Sequence, residues 1–280
     1  MQIDCKTPAN IAEQLSTSVC VQKVNASLSK LVVLGFLAGA YIAFGAQLAT
    51  MVTHDMAAYL GVGFAKLIGG AVFSVGLMMV VIAGAELFTG NNLIFLSTLD
   101  GNTTVGGLIR NWVVVYLSNL IGSLFIVLLM YWTQLWKTGN LGVAVAAVKI
   151  ANAKVNLPFM AALTRGILCN WLVCLAVWMS FSARAVVGKI FAIFFPIMAF
   201  VASGFEHSVA NMYFIPMGMV LSGTSEVAAR IAELGITTSN LNLYGFVVRN
   251  LLPVTLGNII GGAFFVATLY WFVYIKNEKG

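Results

Sequence analysis

Glu86, Glu206 and His207 are the residues of this chain whose chemistry is hardest to reconcile with their surroundings. Gly84-Ala-Glu86-Leu-Phe-Thr-Gly-Asn91 and Gly204-Phe-Glu206-His207-Ser-Val-Ala-Asn211 both read G-x-E-x-x-x-x-N inside otherwise apolar sequence. An acidic side chain at mid-bilayer costs roughly 2.5 to 3.5 kcal/mol even on lenient insertion scales, so an intramembrane carboxylate marks a functional site by default. Here it occurs at two matched positions. His207 is the only histidine predicted within a span, since His54 falls in a short loop after the first helix. An imidazole beside a permeating anion can take up a proton as the anion arrives. The competing interpretation is a neutral, hydrogen-bonded core histidine.

Around these three stand residues with supporting roles. Where a helix restarts at mid-membrane, its first N–H groups lack partners and its dipole presents about half a positive charge, which favours an anion. Thr89 and Ser208 sit at the two restarts, and either hydroxyl can cap its helix or contact a solute. Glu86 and Glu206 repel an anion, so their predicted work is structural: accepting bonds from backbone N–H groups freed by the breaks, helped by Asn91, Asn211 and Asn170. Phe73, Leu77 and Phe200 fall about one to three turns before the breaks. There they form either apolar constrictions or ordinary packing and lipid contacts.

The elements that must position these groups are transmembrane helices. At about 20 apolar residues per crossing, spans fall near 31–53, 63–99, 108–135, 158–181, 187–222 and 245–275. The second and fifth are too long for one crossing and are interrupted, the second by Gly84 and Gly90 around Glu86, the fifth by Pro196 and Gly204 around Glu206. Irregular backbone at that depth is tolerated only in protein or along a cavity. Downstream of each break, Arg110-Asn111, Leu117, Asn119, Ile121-Gly122 and Phe125 match Arg249-Asn250, Leu256, Asn258, Ile260-Gly261 and Phe264 at equal spacing. An odd number of spans per repeat makes the halves enter the membrane in opposite directions, so the two broken helices meet near the midplane. The fold predicted is an all-α membrane bundle with an N-terminal segment over 1–30 and a channel domain over 31–280, its halves near 31–135 and 158–275.

Composition agrees: 60% hydrophobic and 9% charged residues, with mean hydropathy +0.96, place the chain in the membrane class. The polar first 30 residues lack the apolar core of a cleavable signal peptide. Within them Thr7 and Pro8 read as an N-cap and first helical residue, and Ile11, Leu15 and Val19 recur at helical spacing, predicting an amphipathic helix on the membrane surface. The net charge of +6 is spread over termini and loops, so nucleic acid is not a partner, and lipid headgroups and anionic solutes are favoured. Lys6, Lys23, Lys30, Arg110, Arg184, Lys189, Lys276 and Lys279 fall on the side of the termini, against Lys137, Lys149, Lys154 and Arg230 opposite. This favours cytoplasmic termini, although Lys66, Arg165 and Arg249 near span ends on the far side offset much of the bias. The four cysteines, Cys5, Cys20, Cys169 and Cys174, read as small hydrophobes rather than a disulfide scaffold.

Four segments in order carry a more specific likeness: Ala85-Glu-Leu-Phe-Thr-Gly90, Asn170-Trp-Leu-Val-Cys-Leu-Ala-Val-Trp178, Ala202-Ser-Gly-Phe-Glu-His-Ser-Val-Ala-Asn211 and Pro253-Val-Thr-Leu-Gly-Asn-Ile-Ile-Gly261. Over nearly its whole length the chain resembles the formate/nitrite transporter family. The resemblance implies an aquaporin-like six-span bundle, a homopentamer with one pore per protomer and both termini in the cytoplasm of a prokaryotic cell. It implies small monovalent anions of weak acids as substrates, chiefly formate and nitrite, with hydrosulfide and short carboxylates taken by some members, and no cofactor. On this chain it places the central histidine at His207, the helix-break threonine at Thr89, the cytoplasmic constriction at Leu77 and Phe200, and the outer one at Phe73. Glu206 and Asn170 would be the polar support around His207, Lys154 the anion-attracting lysine in the loop before the fourth span, and Lys23 or Lys30 its counterpart at the inner mouth. The segment from Ala199 to Gly218 resembles formate members, while Gly90 after Thr89 also resembles nitrite members.

The function predicted is therefore movement of formate or a close relative through a pore, with a proton coupled through His207 or carried on the neutral acid. A neutral-solute channel of the aquaporin kind is the alternative, though paired Asn-Pro-Ala is missing. An intramembrane enzyme would have to use Glu206 and His207 as acid and base. A metal site needs about three protein ligands, and two distant histidines with no C-x-x-C do not supply them.

Overall fold

The structure, a computed structural model, describes residues 5–277; Lys279 lies outside the described residues. Among the described residues six helices are long and apolar enough to cross a membrane: Leu28–Thr53, Met56–Gly84, Val105–Thr133, Phe159–Ser182, Val186–Ser203 and Gly245–Lys276. Helices are the form these segments take because hydrocarbon offers no partner to a backbone amide. The second span begins at Met56 rather than near residue 63, with a kink at Gly61. Its apolar run continues back through Leu60, so only His54 and Asp55 separate it from the first span.

Both expected breaks are present. The second span ends at Gly84 and resumes as a 3-10 turn, Gly90–Leu93, followed by Ile94–Leu99. The fifth ends at Ser203 and resumes over Ser208–Ser222. Each break turns at a glycine in the left-handed region, Gly84 at φ 89° and Gly204 at φ 78°, where a side chain would be strained. Pro196 does not contribute as predicted, because it lies inside the helix Val186–Ser203.

The halves repeat each other in packing as well as sequence. A Cβ on Gly122 would collide with the Phe36 carbonyl, and one on Gly261 with the Ile167 carbonyl. The first and third spans, and likewise the fourth and sixth, thus touch backbone to backbone, as small residues permit in membranes.

Two elements were not foreseen in their present places. The N-terminal helix starts as predicted, with Thr7 capping Asn10 and Pro8 in its first turn, and continues through Leu15–Val19 to Cys20–Val24. Its apolar face does not lie on lipid, however. Ile11, Leu15, Cys20 and Val24 are buried in one cluster with Leu93, Ile94, Leu96, Leu108, Trp178 and Ile275. Ser16 fastens it further, donating to Asp100 Oδ2 at 2.8 Å and accepting at its carbonyl from Ser97 at 2.6 Å. The second element is a helix between the halves, Gly142–Val155, buried along Val143, Val148, Ala151 and Val155. It places Lys154 on a helix rather than in a loop.

Candidate functional site

Each break is closed by a knot of four polar side chains, and the same four bonds recur in both; Lys23 Nζ alone also donates to the neighbouring asparagine, Asn91 Oδ1, at 3.0 Å, and Asn250 Nδ2 alone also donates to its glutamate, Glu206 Oε2, at 3.3 Å. In the first, Lys23 Nζ donates to Glu86 Oε1 at 2.7 Å, and Asn91 Nδ2 donates to Glu86 Oε2 at 2.7 Å and to Asn111 Oδ1 at 2.8 Å. Asn111 Nδ2 then donates to the Lys23 carbonyl at 3.1 Å. In the second, Lys154 Nζ donates to Glu206 Oε1 at 2.9 Å, and Asn211 Nδ2 donates to Glu206 Oε2 and Asn250 Oδ1, each at 2.7 Å. Asn250 Nδ2 closes that ring on the Lys154 carbonyl at 3.0 Å. Since Lys23 belongs to the N-terminal helix and Lys154 to the helix Gly142–Val155, the repeat reaches back to include both.

This corrects the role assigned to the carboxylates. Glu86 and Glu206 do not take up the freed backbone N–H groups; they are counter-ions to lysines, as a buried charge must be. The freed amides go to two asparagines that sequence reasoning recorded only as matching letters. Asn119 Oδ1 accepts from Phe88 N at 3.0 Å, and Asn119 Nδ2 donates to the carbonyls of Gly35 and Glu86 at 2.7 and 2.9 Å. Asn258 Oδ1 accepts from Ser208 N at 2.9 Å, and Asn258 Nδ2 donates to the carbonyls of Gly166 and Glu206 at 2.9 and 3.0 Å. A primary amide suits this place because it offers an acceptor and two donors together. The available signal was an uncharged polar residue recurring at one register inside two apolar spans.

Between the knots the halves differ. His207 caps the restarted helix, its Nδ1 accepting from Ala210 N at 3.0 Å, and its Nε2 lies 2.9 Å from Thr89 Oγ1. Because an amide can only donate, the ring proton of the neutral imidazole sits on Nε2 and points at Thr89. Ser208 is therefore not the cap, and its buried hydroxyl has no hydrogen-bond partner. Asn170 Nδ2 donates to the carbonyls of Asn258 at 2.7 Å and Thr89 at 3.2 Å. It therefore steadies the backbone of Thr89, whose hydroxyl meets His207, and makes no direct hydrogen bond to the ring.

Two cavities lie at the breaks, one lined by His207 and the other by Leu87 and Gly90 on either side of Phe88 and Thr89, and their linings share no residue. One, about 460 Å³, is lined by Lys154, Glu206, His207, Phe73 and Phe200. The other, about 330 Å³, is lined by Lys23, Lys30, Glu86, Asn91 and Leu77. Phe73 and Phe200 meet edge to face with centroids 5.8 Å apart, and Phe200 stacks on His207 at 5.9 Å. Phe200 thus meets Phe73 on the Lys154 side, while Leu77, in the same buried cluster, lines the cavity on the Lys23 side. All three side chains are buried. Lys30 is exposed at the rim. Position 87, the counterpart of His207 in the first half, is leucine.

The arrangement is two ion-paired vestibules separated by apolar rings and one hydroxyl–imidazole contact, which suits a small solute able to exchange a proton. The sequence model of the formate/nitrite transporter family matches residues 9–272. The chain belongs to the formate/nitrite transporter family. It is 47% identical to a probable formate transporter of Methanothermobacter thermautotrophicus, over 97% of this chain and 98% of that protein. It is 43% identical to the formate channel FocA of Escherichia coli K12, over 77% and 76% of the two chains. Among solved structures it is similar to a pentameric formate channel with formate bound, with TM-score 0.78 and 38% identity over 89% of this chain and 98% of that one. An FNT family ion channel matches with TM-score 0.77 and 32% identity, over 95% and 98%. This member of the family is a multi-pass membrane protein, and its relatives are channels and transporters rather than enzymes.

Proposed function

We propose that the chain conducts formate across the cytoplasmic membrane of a prokaryotic cell, as a homopentamer with both termini in the cytoplasm. The observation that carries this reading is the Thr89 Oγ1 to His207 Nε2 contact of 2.9 Å, set between two separate cavities. The formate channels among its relatives, one of them a pentamer with formate bound, support the substrate and the assembly. A bare carboxylate stripped of water among Phe73, Phe200 and Leu77 would lose tens of kcal/mol of hydration in the limit of a dry passage, whereas a neutral polar group loses roughly 2–7 kcal/mol. The solute therefore crosses paired with a proton.

Nε2 already carries the ring proton, so His207 takes up a further proton only at Nδ1, releasing the Ala210 N–H. The imidazolium then gives one proton to the carboxylate by way of Thr89, and the ring returns to the neutral form that caps Ala210. No part of this requires a cofactor. Nitrite and hydrosulfide, whose acids are also small and weak, fit the same passage and are the competing substrates.

Formate uptake into proteoliposomes over a pH series tests the reading. His207→Asn, which keeps a polar cap but cannot exchange a proton, is expected to flatten the pH dependence. An unchanged profile removes His207 from the mechanism, and saturable uptake of nitrite or hydrosulfide without formate removes the substrate assignment.

A further inference from the structure

The two vestibules are built alike but are not charged alike. Lys154 cancels Glu206 at one mouth, as Lys23 cancels Glu86 at the other. The charge left facing each cavity is then set by other residues. On the Lys23 side it is Lys30 alone; on the Lys154 side it is Lys66 and Arg165. Both are exposed, both belong to membrane-spanning helices, and among the described residues neither side chain makes an ion pair or hydrogen bond. A cation within a span that pairs with nothing must reach water, at a cavity or at the interface, and both line the same cavity as His207.

Arg165 is held in place by the break itself. Its carbonyl accepts Glu206 N at 3.2 Å, and the next carbonyl, of Gly166, accepts from Asn258. The matching bond in the first half runs from Glu86 N to the Leu34 carbonyl at 3.1 Å, and Leu34 lines the other cavity. One repeat position thus carries a guanidinium at one mouth and an isobutyl group at the other.

We propose that Arg165, assisted by Lys66, forms a capture site for a small planar carboxylate at the Lys154 mouth, ahead of the Phe73 and Phe200 rings. This rests on the reading of the chain as a formate conductor and adds to it the residues that load the passage. A guanidinium offers two parallel N–H groups to a carboxylate, which a spherical anion cannot use fully. The lysine in the knot, with its charge already engaged, is left as a positioning residue.

The test is formate uptake by the full-length protein in proteoliposomes, measured against formate concentration at about 0.01 M and about 1 M sodium chloride, where the screening length falls from about 30 to about 3 Å. With wild-type protein the half-saturating concentration should rise about fivefold or more with salt. Arg165→Leu, which copies the other half, and Lys66→Met should each raise it at low salt and flatten the salt response, with the double variant flattest. Arg165→Lys should keep the salt response and lose preference for formate over hydrosulfide. Arg165→Leu indistinguishable from wild type overturns the capture site. If that variant fails to assemble at wild-type size, a wild-type response indifferent to salt overturns it instead. Wild-type protein that carries no formate overturns the function proposed above, and the same salt series is then read on whichever of nitrite and hydrosulfide it does carry.

Discussion

Glu206→Gln tests whether the knots are held by charge. The substitution keeps the shape of the side chain but leaves the Lys154 ammonium without its counter-ion and turns one of two accepting oxygens into a donor. Only 15% of the Lys154 side chain and 5% of Glu206 are exposed, so solvent cannot restore the loss. Removing one partner of such a pair costs about 3–5 kcal/mol, whereas removing both together is often close to neutral. Glu206→Gln alone and Lys154→Met alone should therefore each lower thermal stability of the detergent-solubilised protein strongly, and the double variant should recover much of it. At the other mouth Lys23 and Glu86 are 26% and 11% exposed, so Glu86→Gln should cost visibly less. Aggregation temperature by fluorescence-detected size exclusion is the assay, with the interaction taken from the double-mutant cycle. Additive single-variant effects, or no difference between the two mouths, would refute the argument that buried pairing holds the breaks open.

Two further outcomes follow from the same geometry. Asn258→Leu leaves three backbone groups, Ser208 N and the carbonyls of Gly166 and Glu206, without partners at about 1–3 kcal/mol each. It should abolish transport together with assembly, Asn119→Leu should do the same, and a folded, conducting Asn258→Leu protein would contradict the account of the breaks. Burial pushes the Cys20 thiol from its ordinary value of 9.0 up to about 12, against a smaller downward pull from Lys23. The folded protein thus holds that thiol neutral while an undocked helix would let it ionise. Docking of the N-terminal helix is fully supported below pH 9 and loses this support as pH rises towards 12. At pH 8 about one Cys20 in 10⁴ is a thiolate, so maleimide should label exposed Cys5 and spare Cys20, Cys169 and Cys174. Rapid labelling of Cys20 would place the N-terminal helix away from the bundle.

The correspondence between the halves explains where function concentrates. Bonds that hold the breaks recur in both: Lys23 and Lys154 on the carboxylates, Asn119 and Asn258 on the freed amides. Positions proposed to meet the solute do not recur, since His207 answers to Leu87 and Arg165 to Leu34. Symmetry keeps two interrupted helices stable in hydrocarbon, and departures from it supply the chemistry.

Span number, the two interruptions and the duplication were legible in the sequence because each is a local or periodic property: apolar length, a glycine free to turn left-handed, a polar pattern repeated at fixed spacing. His207 and Thr89 were legible as singular polar residues at those interruptions. Their meeting was not, since they come from different halves, and it depends on how two helices cross. The partners of the charges were equally hidden. Glu86 looked like an acceptor for nearby amides, yet its lysine arrives from the N-terminal helix; that Phe73 and Phe200 meet edge to face is equally invisible in either segment alone. Sequence fixes which groups cannot be left alone in a membrane, but which distant group satisfies them is decided only when packing brings the helices together.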